Sequence, residues 1–349
     1  MFDSRFIWFI ISFFLCFLLT KLVIYLGKKW GLVDRPDEHK KNIHKNVIPL
    51  GGGLSIFLSI LGSFLFLLFL GNTILISGSI TIVHYSGFFL GGLILILIGL
   101  LDDWFDLPPY VTILGPILAA FIVILFGVNI EKLTNPFGGV IYLGFWQSNI
   151  LVFLWLLVVM YSMKLIDGLD GLETGVASIA TFMILALSST VSYFQPDVQI
   201  FSSVVLGAFL GFFVFNFYPA KIFLGEGGST FIAYTIGVLA IISGGKVATA
   251  LLVLCLPFFD LIWVMGRRFF KGGFYSMFEG DRQHLHHRLF DLGWTQKQVV
   301  FFYYIIAASL GASALFLQSF QKLLVLSLFI LFMVCFAFWF VMPRKNKKV

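Results

Sequence analysis

Charge is scarce in this chain: Asp, Glu, Lys and Arg make up 11% of its 349 residues, against 60% hydrophobic residues and 44 Phe. So little polar surface cannot cover a water-soluble core of this size, and a polytopic membrane protein is expected. Cysteine is nearly absent as well. Cys16, Cys255 and Cys335 all lie in apolar runs, with neither disulfide nor zinc spacing, which excludes a disulfide scaffold and a cysteine-ligated metal. A cleaved signal peptide is not expected either, because Phe6 to Leu26 is too long for its apolar core and no small-residue cleavage site follows. The pattern shows no soluble domain, no long linker and no internal repeat of the kind that builds inverted transporter halves.

What is present is a succession of apolar runs. At about 20 apolar residues per crossing, the sequence predicts an all-α fold of about eleven transmembrane helices in one integral-membrane domain, 1–349. They fall near 6–26, 51–70, 82–101, 111–128, 149–165, 172–194, 199–216, 230–243, 247–266, 298–318 and 323–342. An odd number puts the termini on opposite sides. The loops of one side, chiefly 27–50 and 267–297 with the C-terminal tail, carry 18 of the 23 Lys and Arg. The positive-inside rule makes that side cytoplasmic, with the N-terminus outside and the C-terminus inside. The net charge of +6 would then face anionic headgroups.

The polar residues gather in five loops of that side. Asp102 and Asp103 follow an apolar run directly, Asp106 is close by, and no Lys or Arg occurs from Phe88 to Ala120. Three carboxylates without a local cation call for one from elsewhere, and a hard divalent ion such as Mg2+ fits. In the first loop Lys40, Lys41 and Lys45 stand with His39 and His44 before Gly51-Gly52-Gly53, whose N–H groups could receive a phosphate. The stretch Lys164-Leu-Ile-Asp167-Gly-Leu-Asp170-Gly-Leu-Glu173 has more acids and glycines than a plain turn needs. Glu226 sits among glycines at the next helix mouth, where Ser229 is the expected N-cap. The last loop holds Arg282, His284, His286, His287 and Arg288, a set that suits phosphate better than zinc. Among the carboxylates, Asp260 alone lies well inside a span. Following Pro257, it is expected to bond backbone freed by the proline.

Five ordered pieces now form one pattern: the loop of Asp34, Pro36, His44, Pro49, Gly52 and Gly53; GLLDDWFDLP; LIDGLDGL; NFYPAKIFLGEGGS; and DRQHLHHRL. Together, from about Gly31 to Gly293, they resemble the polyprenyl-phosphate N-acetylhexosamine-1-phosphate transferases, the MraY/WecA/TagO superfamily, in its WecA/TagO-like branch. The resemblance implies transfer of N-acetylhexosamine-1-phosphate, with GlcNAc-1-phosphate favoured, from a UDP-sugar to undecaprenyl phosphate. UMP is released, Mg2+ is the cofactor with Mn2+ as substitute, and the product starts a cell-envelope polysaccharide. It further implies Asp102 as the group that readies the lipid phosphate, and Asp103 and Glu226 at the metal. Lys164, Asp167, Asp170, Arg282, His284, His286 and His287 would hold the nucleotide sugar, and Lys40, His44 and Lys45 the lipid phosphate. The implied setting is the plasma membrane, with the active site on the cytoplasmic face. The partners are the two substrates and membrane lipids, without nucleic acid; a homodimer is compatible, the oligomeric state being unspecified by the sequence.

The chain departs from the family pattern in places. Tyr161 and Lys164 replace two asparagines, Glu226 replaces an aspartate, Val47 replaces a proline, and the first loop carries about two extra residues. Lys164 and Glu226 are expected to be neighbours that compensate each other. Three other readings compete with this enzyme: a transporter or channel, a non-catalytic or altered-specificity homologue that binds nucleotide sugar or lipid phosphate, and an MraY-type phospho-MurNAc-pentapeptide transferase.

Overall fold

A computed structural model describes residues 4–35, 47–71, 75, 80–244, 246–273 and 284–341. The described chain is a helical bundle. Its elements begin with α1 (Ser4–Trp30), α2 (Gly52–Phe69), α3 (Ile82–Phe105), α4 (Pro109–Thr112), α5 (Leu114–Leu125), α6 (Phe145–Lys164) and α7 (Leu172–Ser188). They continue with α8 (Pro196–Asn216), α9 (Glu226–Ile242), α10 (Val247–Val253), α11 (Cys255–Gly272), α12 (Leu285–Asp291), α13 (Gln296–Phe316) and α14 (Ser319–Val341).

Six of these helices, α1, α2, α3, α6, α8 and α13, are long and apolar enough to cross a membrane. A seventh span arises if α10 and α11, bent by 72° at Leu254, count as one. The break falls three residues before Pro257, whose ring cannot continue the helical hydrogen bonds of the preceding turn. Apolar helical stretches of 10–17 residues occupy the other four expected positions: 109–125, 172–188, 226–242 and, within the longer α14, 319–335. The chain is thus a helical polytopic membrane protein, with six or seven helices of full crossing length among the described residues and apolar helix at each of the eleven expected positions.

The middle of the bundle is α8 and α9. In α9 every residue from Gly227 to Ile241 is buried, so its solvent is other helices and it carries Gly, Ala, Ser and Thr that let neighbours approach. Lipid tails supply no hydrophobic drive between apolar helices, so close van der Waals packing and interhelical hydrogen bonds must hold them. Gly207 and Gly211 of α8, four apart, lie against the Phe9 and Phe13 carbonyls of α1, where a Cβ would collide with backbone. Hydroxyls tie α1 to α8 and to α2: Ser12 donates to the Val204 carbonyl at 2.7 Å, Ser59 to the Ser12 carbonyl at 2.9 Å, and Thr20 to Ser55 at 3.0 Å.

Two small ribbons close the ends. β1 (Val33–Asp34) pairs antiparallel with β2 (Ile48–Pro49), bracketing the first polar loop. β3 (Lys132–Thr134) pairs with β4 (Val140–Tyr142) between α5 and α6. His84 near the start of α3 bonds the Gly127 carbonyl at 3.2 Å, which places this second ribbon at the end of the bundle opposite Asp102 and Asp103.

Candidate active site

Glycine contacts decide where the site forms. Gly53 of α2 lies against Gly228, and Gly99 of α3 against Gly227, each so close that a Cβ would strike backbone atoms. The N-terminus of α9 is thereby wedged between α2 and the stretch of α3 from Leu95 to Gly99. The Gly52 and Gly53 N–H groups donate to the Phe223 and Leu224 carbonyls, both at 3.0 Å, and Phe223 N–H donates to the Pro49 carbonyl at 2.9 Å. These two amides are therefore used within the fold, and the expected phosphate cradle at the glycine run is replaced by a helix-packing contact.

Asp102 and Asp103 belong to the last turn of α3 rather than to a loop, as the sequence pattern had suggested. Asp102 Oδ1 accepts the Leu107 N–H at 3.0 Å, and Asp106, in the left-handed region at φ 50°, ends the helix. Asp103 Oδ1 accepts the Glu226 N–H at 2.9 Å, so this carboxylate serves the open N-terminus of α9. Gly225 is the N-cap there, not Ser229, which lies inside the helix. Its φ of 74° favours glycine, and a Cβ would collide with Asp103 Oδ2.

Lys164, the last residue of α6, forms an ion pair with the Glu226 carboxylate. The two departures from the family pattern are therefore direct partners, as expected. Asp170 Oδ2 accepts the Ala220 N–H at 2.9 Å and ties the 164–174 loop to the 217–225 loop. Asp167 is half-buried. Desolvation first, then the Glu226 and Asp103 charges, push its carboxyl up to about 8, against the lowering effects of Glu173 and Lys164.

His284 is buried, and its Nδ1 lies 3.0 Å from Asp260 Oδ2, while Asp260 Oδ1 accepts the Leu285 N–H at 2.9 Å. Asp260 thus serves His284 and the start of α12, which corrects the expectation that it bonds backbone freed by Pro257. Its isolation inside an apolar span was the available signal. His286 and His287 fall on α12, with their side chains outside the description, and Arg282, Lys40, His44 and Lys45 lie outside the described residues. Lys297, at the start of α13, stands over the Tyr218 ring at 5.6 Å, bringing the end of the fifth polar loop to the fourth.

Among the described residues no group of three His, Cys, Asp or Glu side chains is placed to hold a metal. Asp103 and Glu226 meet a smaller requirement, since Mg2+ keeps several waters and takes one or two protein carboxylates beside phosphate oxygens. The donor set of two neighbouring carboxylates is of the right chemistry for it.

The fold and the site define a class, helical membrane proteins with a carboxylate-rich polar site, crossed by one lysine, at one end of the bundle. Residues 85–244 match glycosyl transferase family 4. Over 334 residues the chain is 31% identical to a probable undecaprenyl-phosphate N-acetylglucosaminyl 1-phosphate transferase of Bacillus subtilis, covering 93% of this chain and 88% of that one. It is 32% identical over 329 residues to decaprenyl-phosphate N-acetylglucosaminephosphotransferase of Mycobacterium tuberculosis, covering 85% and 79%. Against the undecaprenyl-phosphate alpha-N-acetylglucosaminyl 1-phosphate transferase of Escherichia coli the identity is 30% over 318 residues, covering 85% and 80%. This chain belongs to the same family, the polyprenyl-phosphate N-acetylhexosamine-1-phosphate transferases.

Proposed function

We propose that this protein transfers N-acetylglucosamine-1-phosphate from UDP-N-acetylglucosamine to undecaprenyl phosphate, on the cytoplasmic face of the plasma membrane, as the first step of a cell-envelope polysaccharide. The observation that carries the reading is the convergence of Asp103, Lys164 and Glu226 at the mouth of α9. An oxygen of the lipid phosphate attacks the sugar-bearing phosphorus of the donor. The bond from that phosphorus to the bridging oxygen breaks, UMP leaves with the electron pair, and the lipid carries a diphosphate-linked sugar.

Such a transfer asks a protein for positioning and charge stabilisation rather than covalent work. Asp102, anchored through Oδ1 to the Leu107 N–H, takes the proton of the lipid phosphate and readies it as nucleophile. Lys164 neutralises charge on the donor diphosphate. Asp167 and Asp170 orient the nucleotide half, and His284, held by Asp260, meets phosphate or sugar together with Arg282, His286 and His287. Lys40, His44 and Lys45 receive the lipid phosphate. Mg2+ or Mn2+, held by Asp103 and Glu226, would spread the negative charge of the diphosphate.

The test is incorporation of labelled N-acetylhexosamine phosphate into lipid extract, with UMP release, by purified protein in detergent with either metal ion. Label in the lipid with stoichiometric UMP is expected, abolished by excess chelator. Full turnover in chelator would remove the metal from the reading. Nucleotide-sugar binding without transfer would make the chain a non-catalytic homologue, and transfer only from UDP-MurNAc-pentapeptide would assign it to the other branch.

A further inference from the structure

One face of α13 reaches both loops on the donor side of the site. Lys297, Phe301 and Tyr304 are spaced i, i+4 and i+7, so they line up along the helix. Lys297 stands over the Tyr218 ring at 5.6 Å, and the Phe301 ring lies 6.4 Å from that of Phe217. Tyr304 makes the polar contact of the three: its hydroxyl donates to the Gly171 carbonyl at 2.6 Å. Gly171, buried and in the left-handed region at φ 76°, ends the turn that carries Asp167 and Asp170 and is the N-cap of α7.

The seat of this hydroxyl is built from several sides. On α7, a Cβ at Gly175 would stand 2.1 Å from the Tyr304 Oη, so the ring enters only because that residue is glycine. On the end of α8, Phe213 and Phe217 lie 3.2 to 3.3 Å from where a Gly171 Cβ would be, and the Phe213 ring is 6.3 Å from that of Tyr304. The Gly171 carbonyl already accepts the Gly175 N–H at 2.9 Å. The tyrosine bond is therefore not needed to satisfy a buried acceptor, since a carbonyl with one partner is tolerated. Nor is it needed to fill space, which the ring of phenylalanine would do equally. What it adds is a second fixed contact on Gly171, next to Asp170, whose Oδ2 takes the Ala220 N–H at 2.9 Å. The turn is then held from two elements, α13 and the 217–225 loop.

We propose that Tyr304 is a positioning residue for the nucleotide-sugar donor: its hydroxyl locks the 167–171 turn against α13, so that Asp167 and Asp170 are presented in one orientation. Tyr304 acts on the donor only through the turn. Removing the hydroxyl loosens that turn and leaves no buried donor unpaired, because the Gly171 carbonyl keeps the Gly175 N–H. A tyrosine that merely packs gives a different expectation, since the loss of its hydroxyl would change no kinetic constant.

The kinetic consequence rests on the transferase reading; the hold on the turn does not, and the experiment separates them. In the full-length protein in detergent, without substrates, Tyr304→Phe should speed hydrogen exchange about 3- to 10-fold in peptides covering 165–175, the range set by losing one neutral hydrogen bond, and leave those covering α9 unchanged. In the transferase assay its KM for UDP-N-acetylglucosamine should rise about 3- to 10-fold, with kcat within about twofold and the lipid KM unchanged. Gly175→Ala, which drives the ring off Gly171, should raise the same KM at least as much. Unaltered exchange in 165–175 overturns the proposal. So does an unaltered donor KM, or a rise shared equally by both substrates. A Tyr304→Phe variant that no longer folds, as judged by thermal unfolding, overturns it too, because the hydroxyl would then hold the fold rather than the turn. If Gly175→Ala unfolds the protein, Tyr304→Phe decides alone. If the unmodified chain lacks turnover the transferase reading fails, and the exchange rates still decide the hold on the turn.

Discussion

At the scale of single residues, Asp102 and Asp103 are neighbours with different tasks. Asp102 secures the chain after α3 through Leu107, whereas Asp103 reaches across to the first N–H of α9. Both are partly exposed and fill no core. Asp102→Asn and Asp103→Asn should each lower turnover by at least about 100-fold, as expected when a reacting group is misplaced by about 1 Å. Their thermal unfolding should be nearly unchanged for Asp102→Asn and shifted modestly for Asp103→Asn, which weakens a charged helix cap. Near-native turnover in either variant would refute its role. The ion pair of Lys164 with Glu226 invites a double-mutant cycle. Lys164→Asn and Glu226→Asp should each reduce turnover while the double variant recovers, with an interaction energy of about 0.5 to 3 kcal/mol. Strictly additive losses would show that the two positions act independently.

At the scale of elements, the site depends on how closely α2, α3 and α9 approach. Side chains at Gly53, Gly99, Gly227 or Gly228 would push helix backbones apart, and the Asp103 carboxylate would lose its reach to Glu226. Gly99→Ala should therefore destabilise the protein by about 1 to 3 kcal/mol, the range for overpacking a tight contact. It should also lower turnover in the fraction that stays folded. By contrast, Gly266→Ala, at a position where a Cβ meets nothing within 4 Å, should leave both unchanged. Thermal unfolding with turnover, measured on the same preparations, separates the two outcomes. A fully active, equally stable Gly99→Ala would mean that the helices do not pack as closely as described.

At the scale of the whole molecule, four polar loops meet at one end of the bundle, and the ribbon of β3 and β4 sits at the other. If that first end is cytoplasmic, single cysteines at exposed positions such as Asp106 and Lys221 should react only with reagents that reach the inside of intact cells. A cysteine at Phe137 in the opposite ribbon should react from outside. Cysteines introduced at Asp106 and Lys221 that label from opposite sides would break the site apart. Such labelling also counts crossings, which matters because three of the apolar helices, 109–125, 172–188 and 226–242, are shorter than a lipid bilayer usually requires.

The sequence by itself determined the helical membrane class, the positions of the apolar helices, the family, and where the polar loops lie. Hydropathy and ordered motifs are local properties, and they survive without coordinates. That Lys164 meets Glu226 was also legible, since two departures from one pattern pointed to a shared place. Only the tertiary structure decided that the Gly52 and Gly53 amides are spent on Phe223 and Leu224, that Asp260 serves His284, and that Asp170 takes the Ala220 N–H. Each of those depends on which group on a distant helix satisfies a buried donor or acceptor. Residues 24 to more than 170 positions apart settle that by packing, and no local pattern in the chain encodes it.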